Sequence, residues 1–216
     1  MNRALIITLG FEEKFALRGL TRHGISKGDR LILLTGPTIE RVRKAASYVR
    51  DFIDKYYSGE VSVDLVELPV HDFYQTTLRV KQVLENVATM DQVIVNLSGG
   101  MRIIVLAVFV AVMLLSMRNV KVELETEDSS TYLTIDAVAL KSIMSFEELS
   151  EEKMKILEVL TREEKALTVA VLSKRLRRDS STIRKHLRSL EEAGLIIVKK
   201  RKPLTVKSHP VLNLIF

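Results

Sequence analysis

The sequence predicts an α/β protein in two parts. A Rossmann-like, doubly wound, mostly parallel sheet spans residues 1–136, a linker follows at 137–148, and a winged helix-turn-helix spans 149–216. Three observations lead there. Four short apolar runs alternate with segments of helical spacing, the pattern of parallel strands covered by helices on both faces. The last third of the chain carries the whole basic excess. It also ends in two apolar runs joined by a basic turn, which reads as a hairpin. At 216 residues, with 47% hydrophobic and 28% charged side chains, the chain is able to bury a core.

The first strand is Arg3 to Leu9, built on Ala4-Leu5-Ile6-Ile7 and ending at Gly10-Phe11. Glu12 to His23 has helical spacing, with Phe15, Ala16, Leu17 and Leu20 near one face. Arg30 to Leu34 is a second strand closed by Thr35-Gly36-Pro37-Thr38, and Thr38 is placed to cap a helix running from Ile39 to about Tyr57. Val61 to Leu68 is a third strand, stopped by Pro69. Asp72 caps a helix over Phe73 to Ala88. The fourth strand opens the stretch from Gln92 to Arg102 and is contiguous and β-branched at Val93, Ile94 and Val95, as expected of a strand buried on both faces. Val120 to Glu125 and Thr131 to Ile135 flank Asp128-Ser129-Ser130 as an edge hairpin, whose Glu123, Glu125, Glu127 and Asp128 read as a solvated acidic edge.

Between the fourth strand and this hairpin lies Ser98-Gly99-Gly100-Met101-Arg102 and then an apolar run from Ile103 to Leu115. Ser98 can cap the helix that follows, two glycines let backbone N–H groups approach a ligand, and Arg102 adds a full charge to the partial charge of a helix N-terminus. A Gly-Gly turn can also serve only as a joint. Ligands of parallel sheets, however, bind beyond the carboxyl ends of the strands, where this turn falls, and that favours an anion site. The apolar run is shorter than the roughly 18 to 20 residues of a membrane span. A helix apolar all round has one face for the sheet and another for a second subunit, so a homodimer is expected.

Ser150 starts a helix with Met154, Leu157 and Leu160 on one face, and Thr168 to Leu176 forms a second. Asp179 or Ser180 caps a third, Ser181 to Ala193, in which Ile183, Leu187 and Leu190 make the inward stripe. That stripe leaves Ser181, Thr182, Arg184, Lys185 and Arg188 outward, suited to base edges and phosphates in a major groove. The hairpin that follows turns through Lys199-Lys200-Arg201-Lys202, suited to the DNA backbone. From residue 145 onward there are 16 Lys and Arg against 10 Asp and Glu, and from Lys174 onward 12 against 3, within a net charge of +6. Such a footprint is that of a nucleic-acid-binding module, and its placement on the third helix and the basic hairpin points to double-stranded DNA as the partner.

Cysteine is absent, which excludes disulfides, thiolate metal sites and Cys nucleophiles. The four histidines have no metal-ligand spacing, so no metal is expected. The absence of a G-x-G-x-x-G run argues against NAD, and no other cofactor is implied. The first ten residues lack signal-peptide character, which suggests a cytoplasmic protein.

With Leu9-Gly10-Phe11 after the first strand, Ser98-Gly99-Gly100-Met101-Arg102 after the fourth, and a winged helix downstream, the chain resembles the CRISPR-associated Rossmann-fold (CARF) transcription regulators over nearly its whole length. The resemblance implies a homodimer whose paired turns form a two-fold pocket for a cyclic oligoadenylate, most plausibly cyclic tetra-adenylate. It assigns Thr8, Leu9, Gly10, Phe11, Ser98, Gly99, Gly100, Met101 and Arg102 to that pocket, with Thr35 and Thr38 as weaker contributors. The ligand would tune promoter binding by the winged helices in antiviral defense. Two alternatives remain. One is a slow ring nuclease, because some relatives cleave their own ligand; Ser98 and Arg102 would then act on it, although the sequence offers no evident general base. The other is a ligand-independent DNA-binding dimer.

Overall fold

The computed structural model describes residues 2–57, 61–115, 117–144, 146, 149–163 and 165–216. The chain divides at Ala137 into two compact units.

In the first unit the strands are β1 (Arg3–Thr8), β2 (Arg30–Thr35), β3 (Ser62–Glu67), β4 (Gln92–Asn96), β5 (Val120–Glu125) and β6 (Tyr132–Ile135). They form one sheet in the order β3-β2-β1-β4-β5-β6, parallel except for the final β5–β6 pair. Alternation of side chains along the strands divides the core in two. Leu5, Ile7, Leu31, Leu33 and Ile94 face helices α1 (Lys14–His23) and α2 (Glu40–Tyr56). Ala4, Ile6, Ile32, Leu34, Val93 and Val95 face α3 (Phe73–Glu85) and α4 (Arg102–Leu114), which pack side by side. The chain winds outward from β1 to β3 on one side, then returns across the sheet to β4 on the other. The strand order therefore reverses between β1 and β4, which places the ends of those two strands at the switch point where such sheets hold ligands.

One local expectation is met and three are corrected. Asp72 does cap α3, accepting from the N–H groups of Tyr74 and Gln75 at 2.8 and 3.1 Å. Thr38 does not cap α2, which begins later, at Glu40; its N–H and hydroxyl both go to the Glu67 carboxylate. Ser98 does not cap α4 either. That helix starts at Arg102 with Met101 at its N-cap, and the Ser98 hydroxyl instead accepts from the Glu125 N–H at 2.9 Å. The acidic edge is not solvated at Glu123 and Glu125, which are buried against α1.

Helix α4 buries Ile104, Ala107, Val108 and Ala111 on the sheet side. Its outer side leaves Leu106 more than half exposed, and Leu114 likewise, with Tyr74 and Leu78 exposed on the neighbouring α3. Among the described residues no helix is long and apolar enough to cross a membrane.

Helix α5 (Ala137–Met144), which lies in the second unit from Val138 onward, occupies much of the segment expected as linker; residues 145, 147 and 148 of that segment lie outside the described residues. The Ser142 hydroxyl of α5 donates to the Ala193 carbonyl at 2.6 Å. Then come α6 (Glu151–Thr161), the two-residue strand β7 (Leu167–Thr168), α7 (Val169–Leu176), α8 (Ser180–Glu192), and a hairpin of β8 (Ile196–Arg201) and β9 (Leu204–Ser208). Strand β7 pairs antiparallel with β9, so the hairpin is tied back into the helices. Leu157, Leu172, Ile183, Leu187, Leu190, Leu195 and Val206 form the core beneath them.

Candidate functional site

At the carboxyl ends of β1 and β4 lies a cleft of about 1000 Å³. Its floor is two turns in backbone contact: a Cβ added at Gly10 would stand 3.2 Å from the Gly100 nitrogen. Gly100 has φ +84, and a Cβ there would meet the Thr8 Cβ at 3.0 Å; at Gly99 it would meet the Thr8 carbonyl oxygen at 2.9 Å. The turns approach this closely because three glycines leave no side chain between them. Thr8 is the strut behind the floor. It is buried, and its hydroxyl donates to the Gly99 carbonyl at 2.6 Å. Asn96 steadies the same turn by accepting from the Ser98 N–H at 3.0 Å.

Of the residues the sequence assigned to a pocket, Leu9, Gly10, Phe11, Ser98, Gly99, Gly100, Met101 and Arg102 line this cleft together. Thr35 lines it as well, its buried hydroxyl without a hydrogen-bond partner among the described residues. Thr8 does not line it, and Thr38 is held away on Glu67. Lys14, Phe15, Ile39, Glu12 and Glu127 line it without having been expected there. Phe11 is exposed at the cleft, with the Arg41 guanidinium 5.9 Å from its ring. Lys14 is paired with Glu12 at 2.9 Å, whereas Arg102 has no ion-pair partner among the described residues. Glu127 belongs to a hairpin turn built by its neighbour. Thr126 and Ser130 donate to the Asp128 carboxylate, and those hydrogen bonds hold its pKa down at about 2.

The turn is backed by an ionic cluster that the sequence order conceals. Glu125, whose N–H binds Ser98, receives Arg18 and Arg22 of α1 on its carboxylate at 3.0 Å each. Arg18 also lies 5.1 Å from the Phe15 ring, which packs against Gly99. Glu123 is 2.7 Å from the His23 Nε2, and Arg22 lies 3.9 Å over the Tyr132 ring. Burial pushes the Glu123 carboxyl upward, but hydrogen bonds from His23 and Tyr132 and the nearby charges bring it below its ordinary 4.5. Asp29 behaves alike: burial raises it, and Arg3 and the Ser26 N–H lower it further, below 3.8. A carboxyl depressed in the folded state stabilises above its unfolded pKa and loses that contribution as pH falls through the folded value. The stability that Glu123 and Asp29 contribute to the first unit, followed by denaturant titration, is therefore expected to be fully present down to about pH 5 and to be lost progressively below it. Glu123→Gln should flatten that acid limb; an unchanged limb would exclude Glu123 as a contributor.

In the second unit Ser181, Arg184, Lys185 and Arg188 are exposed along α8, with Thr182 half-buried at its first turn. Lys199, Lys200 and Lys202 are exposed on the hairpin. Arg201 is not free: its guanidinium makes a two-pronged contact with Glu191 of α8, at 3.1 and 2.6 Å, and so locks the hairpin to the helix. Arg188 reaches Glu192 only at 3.5 Å and is largely exposed.

Fold and site define a Rossmann-like domain with a glycine-built cleft at its switch point, carrying a winged helix-turn-helix in the same chain. Residues 3–136 match the Csa3 CRISPR-associated Rossmann-like domain, and residues 149–199 match a helix-turn-helix domain. The chain belongs to the Csa3 CRISPR-associated Rossmann-like family. It is 23% identical, over 99% of its length and 87% of the relative's, to Csa3 of Saccharolobus solfataricus, a protein named for its CRISPR locus and for DNA binding. Among solved structures it is similar to protein VC1899 of Vibrio cholerae, with a TM-score of 0.48 and 12% identity over 96% of this chain. It spans 62% of that protein's length. An alcohol dehydrogenase of Thermococcus sibiricus complexed with 5-hydroxy-NADP matches 47% of this chain and 38% of its own, with a TM-score of 0.30 and 24% identity.

Proposed function

We propose that this chain is a CRISPR-locus transcription regulator that binds DNA through its winged helix and a cyclic oligoadenylate, of which cyclic tetra-adenylate is the first to test, in its Rossmann-like cleft. The observation that carries the ligand half is the joined glycine floor with Arg102 at its edge and the buried Thr35 hydroxyl in its wall, neither of which has a side-chain partner among the described residues. Backbone N–H groups and a guanidinium suit phosphates, and the exposed Phe11 ring suits a stacked base. An even-membered ring such as cyclic tetra-adenylate contains a two-fold axis to match two copies of this floor, so the protein acts as a homodimer. Its interface is the outer face of α4. Calorimetric titration with cyclic tetra-adenylate should give saturable heat at one ring per two chains. Absence of heat with rings of any size would leave the ligand-independent DNA-binding dimer.

The dimer has its own test. Light scattering at micromolar concentration should give twice the chain mass, and Leu106→Glu should raise the dissociation constant roughly 100-fold or more, since it buries an unpaired carboxylate. A monomeric unsubstituted chain would remove this part of the reading.

One observation favours a second reading, the ring nuclease. Glu12 and Glu127 line the same cleft as Ser98 and Arg102, supplying carboxylates that sequence order did not reveal. A carboxylate takes the proton of a ribose 2′-hydroxyl as that oxygen attacks the adjacent phosphorus; the bond from phosphorus to the 5′-oxygen breaks, the departing oxygen takes a proton from solvent, and a 2′,3′-cyclic phosphate is left, with Arg102 facing the charge that develops. Linear products that disappear in Glu127→Gln would support it; a ring recovered intact after long incubation would exclude it.

A further inference from the structure

We propose that the turn between α7 and α8 seats a backbone phosphate of double-stranded DNA, with Lys174 and Arg177 as the cations that hold it; this rests on the DNA-binding reading above. A second cleft, of about 560 Å³, opens there between Ser173 and Lys174, the turn residues Arg177 and Arg178, and Thr182 of α8. Glu152 and Asp179 line it too, but Glu152 is occupied: one oxygen is 2.9 Å from the Arg178 Nε and the other 2.9 Å from the His186 Nε2. Arg178 is thus committed to tying the turn to α6. Lys174 and Arg177 are exposed and have no ion-pair partner among the described residues.

Arg177 has an unusual backbone for its residue type. It closes α7 in the left-handed region, at φ 51 and ψ 48, where its N–H caps the Ser173 carbonyl. Glycine is the residue that backbone favours, and it would make the same capping bond without a Cβ in conflict with the chain. An arginine held against its own backbone preference points to work done by the side chain. Apart from the Asp179 carboxylate and the occupied Glu152, the remaining polar groups of the cleft are donors that suit an anion. Helix α8 starts at its Asp179 N-cap with no side-chain cap, so its first-turn N–H groups are left to other acceptors, and Thr182 adds a hydroxyl.

The test uses the full chain and labelled duplexes of two unrelated sequences, with binding followed by anisotropy from about 50 to 200 mM salt. Arg177→Gly should weaken binding to both duplexes alike, about threefold to tenfold, and reduce the salt slope by about 1 per chain. Its thermal midpoint should equal or exceed that of the unsubstituted chain, because glycine relieves the left-handed residue, so lost binding cannot be lost fold. Lys174→Ala should act in the same direction, while Arg184→Ala should change the preference between sequences. A steep slope in the unsubstituted chain that both Arg177→Gly and Lys174→Ala leave untouched would overturn the phosphate seat and spare the DNA-binding reading. No binding of either duplex by the unsubstituted chain at low salt would overturn that reading itself. A lower midpoint in Arg177→Gly would overturn the strain argument on which the seat depends.

Discussion

Gly100→Ala is expected to destabilise the Rossmann-like unit by about 3 kcal/mol and to abolish ligand binding in whatever fraction remains folded. Two costs add. A residue with a Cβ at positive φ is disfavoured by roughly 1–2 kcal/mol, and Gly100 sits at φ +84. The added methyl would then stand 3.0 Å from the Thr8 Cβ and 3.2 Å from its carbonyl carbon. Neither atom can retreat, because Thr8 is the last residue of a central strand and its hydroxyl is bound to the same turn. The turn must therefore lift off β1, carrying the N–H groups before α4 away from any anion in the cleft. Gly36→Ala makes the informative contrast. Its Cβ would come closer still, 2.6 Å, but to the sulfur of Met101, the far end of a flexible side chain. That clash should relax for less than about 1 kcal/mol. Denaturant midpoints for the two variants should differ accordingly; equal loss would mean that proximity alone, and not the rigidity of the neighbour, governs this floor.

The same contrast explains what could be read from the sequence. Strands β1, β2 and β4 were legible because Ala4 to Ile7, Leu31 to Leu34 and Val93 to Val95 are contiguous apolar runs, and burial on both faces demands nothing more of a central strand. The glycine turn was legible by its residues and by its place after β4. What it binds to internally was not. The Ser98 hydroxyl resembles a helix cap from its neighbours alone, yet Glu125, 27 residues later, claims it. Glu123 and Glu125 read as surface charge because their partners Arg18, Arg22 and His23 lie about a hundred residues earlier. Only the sheet order, which puts β5 near α1, brings them together. Glu127 reached the cleft in the same way, through the fold of the hairpin. In the second unit local spacing went further, since a helix stripe and a basic turn are local patterns. It failed at Arg201, where a basic run gives no sign that one member turns back to Glu191.

Arg102→Ala should cost more ligand affinity than truncation of any other side chain that lines the cleft. Lys14, the other cation lining it, is already neutralised by Glu12, so Arg102 is the charge left to meet a phosphate. A hydrogen bond to a charged group contributes about 1.5–3 kcal/mol net, and a two-fold ligand would meet Arg102 twice. The loss should therefore be about 3–6 kcal/mol, or roughly a hundredfold to ten-thousandfold in dissociation constant for cyclic tetra-adenylate. Arg102→Lys keeps the charge but not the planar fork, and should recover only part of the loss. Because Arg102 is exposed and no bond to the rest of the fold is made by its side chain among the described residues, neither variant should move the unfolding midpoint. This separates it from Gly100, where binding and stability fall together. Calorimetry on the two arginine variants, at two salt concentrations, reads the effect directly. Affinity unchanged in Arg102→Ala would mean that the ring's phosphates face the backbone floor alone.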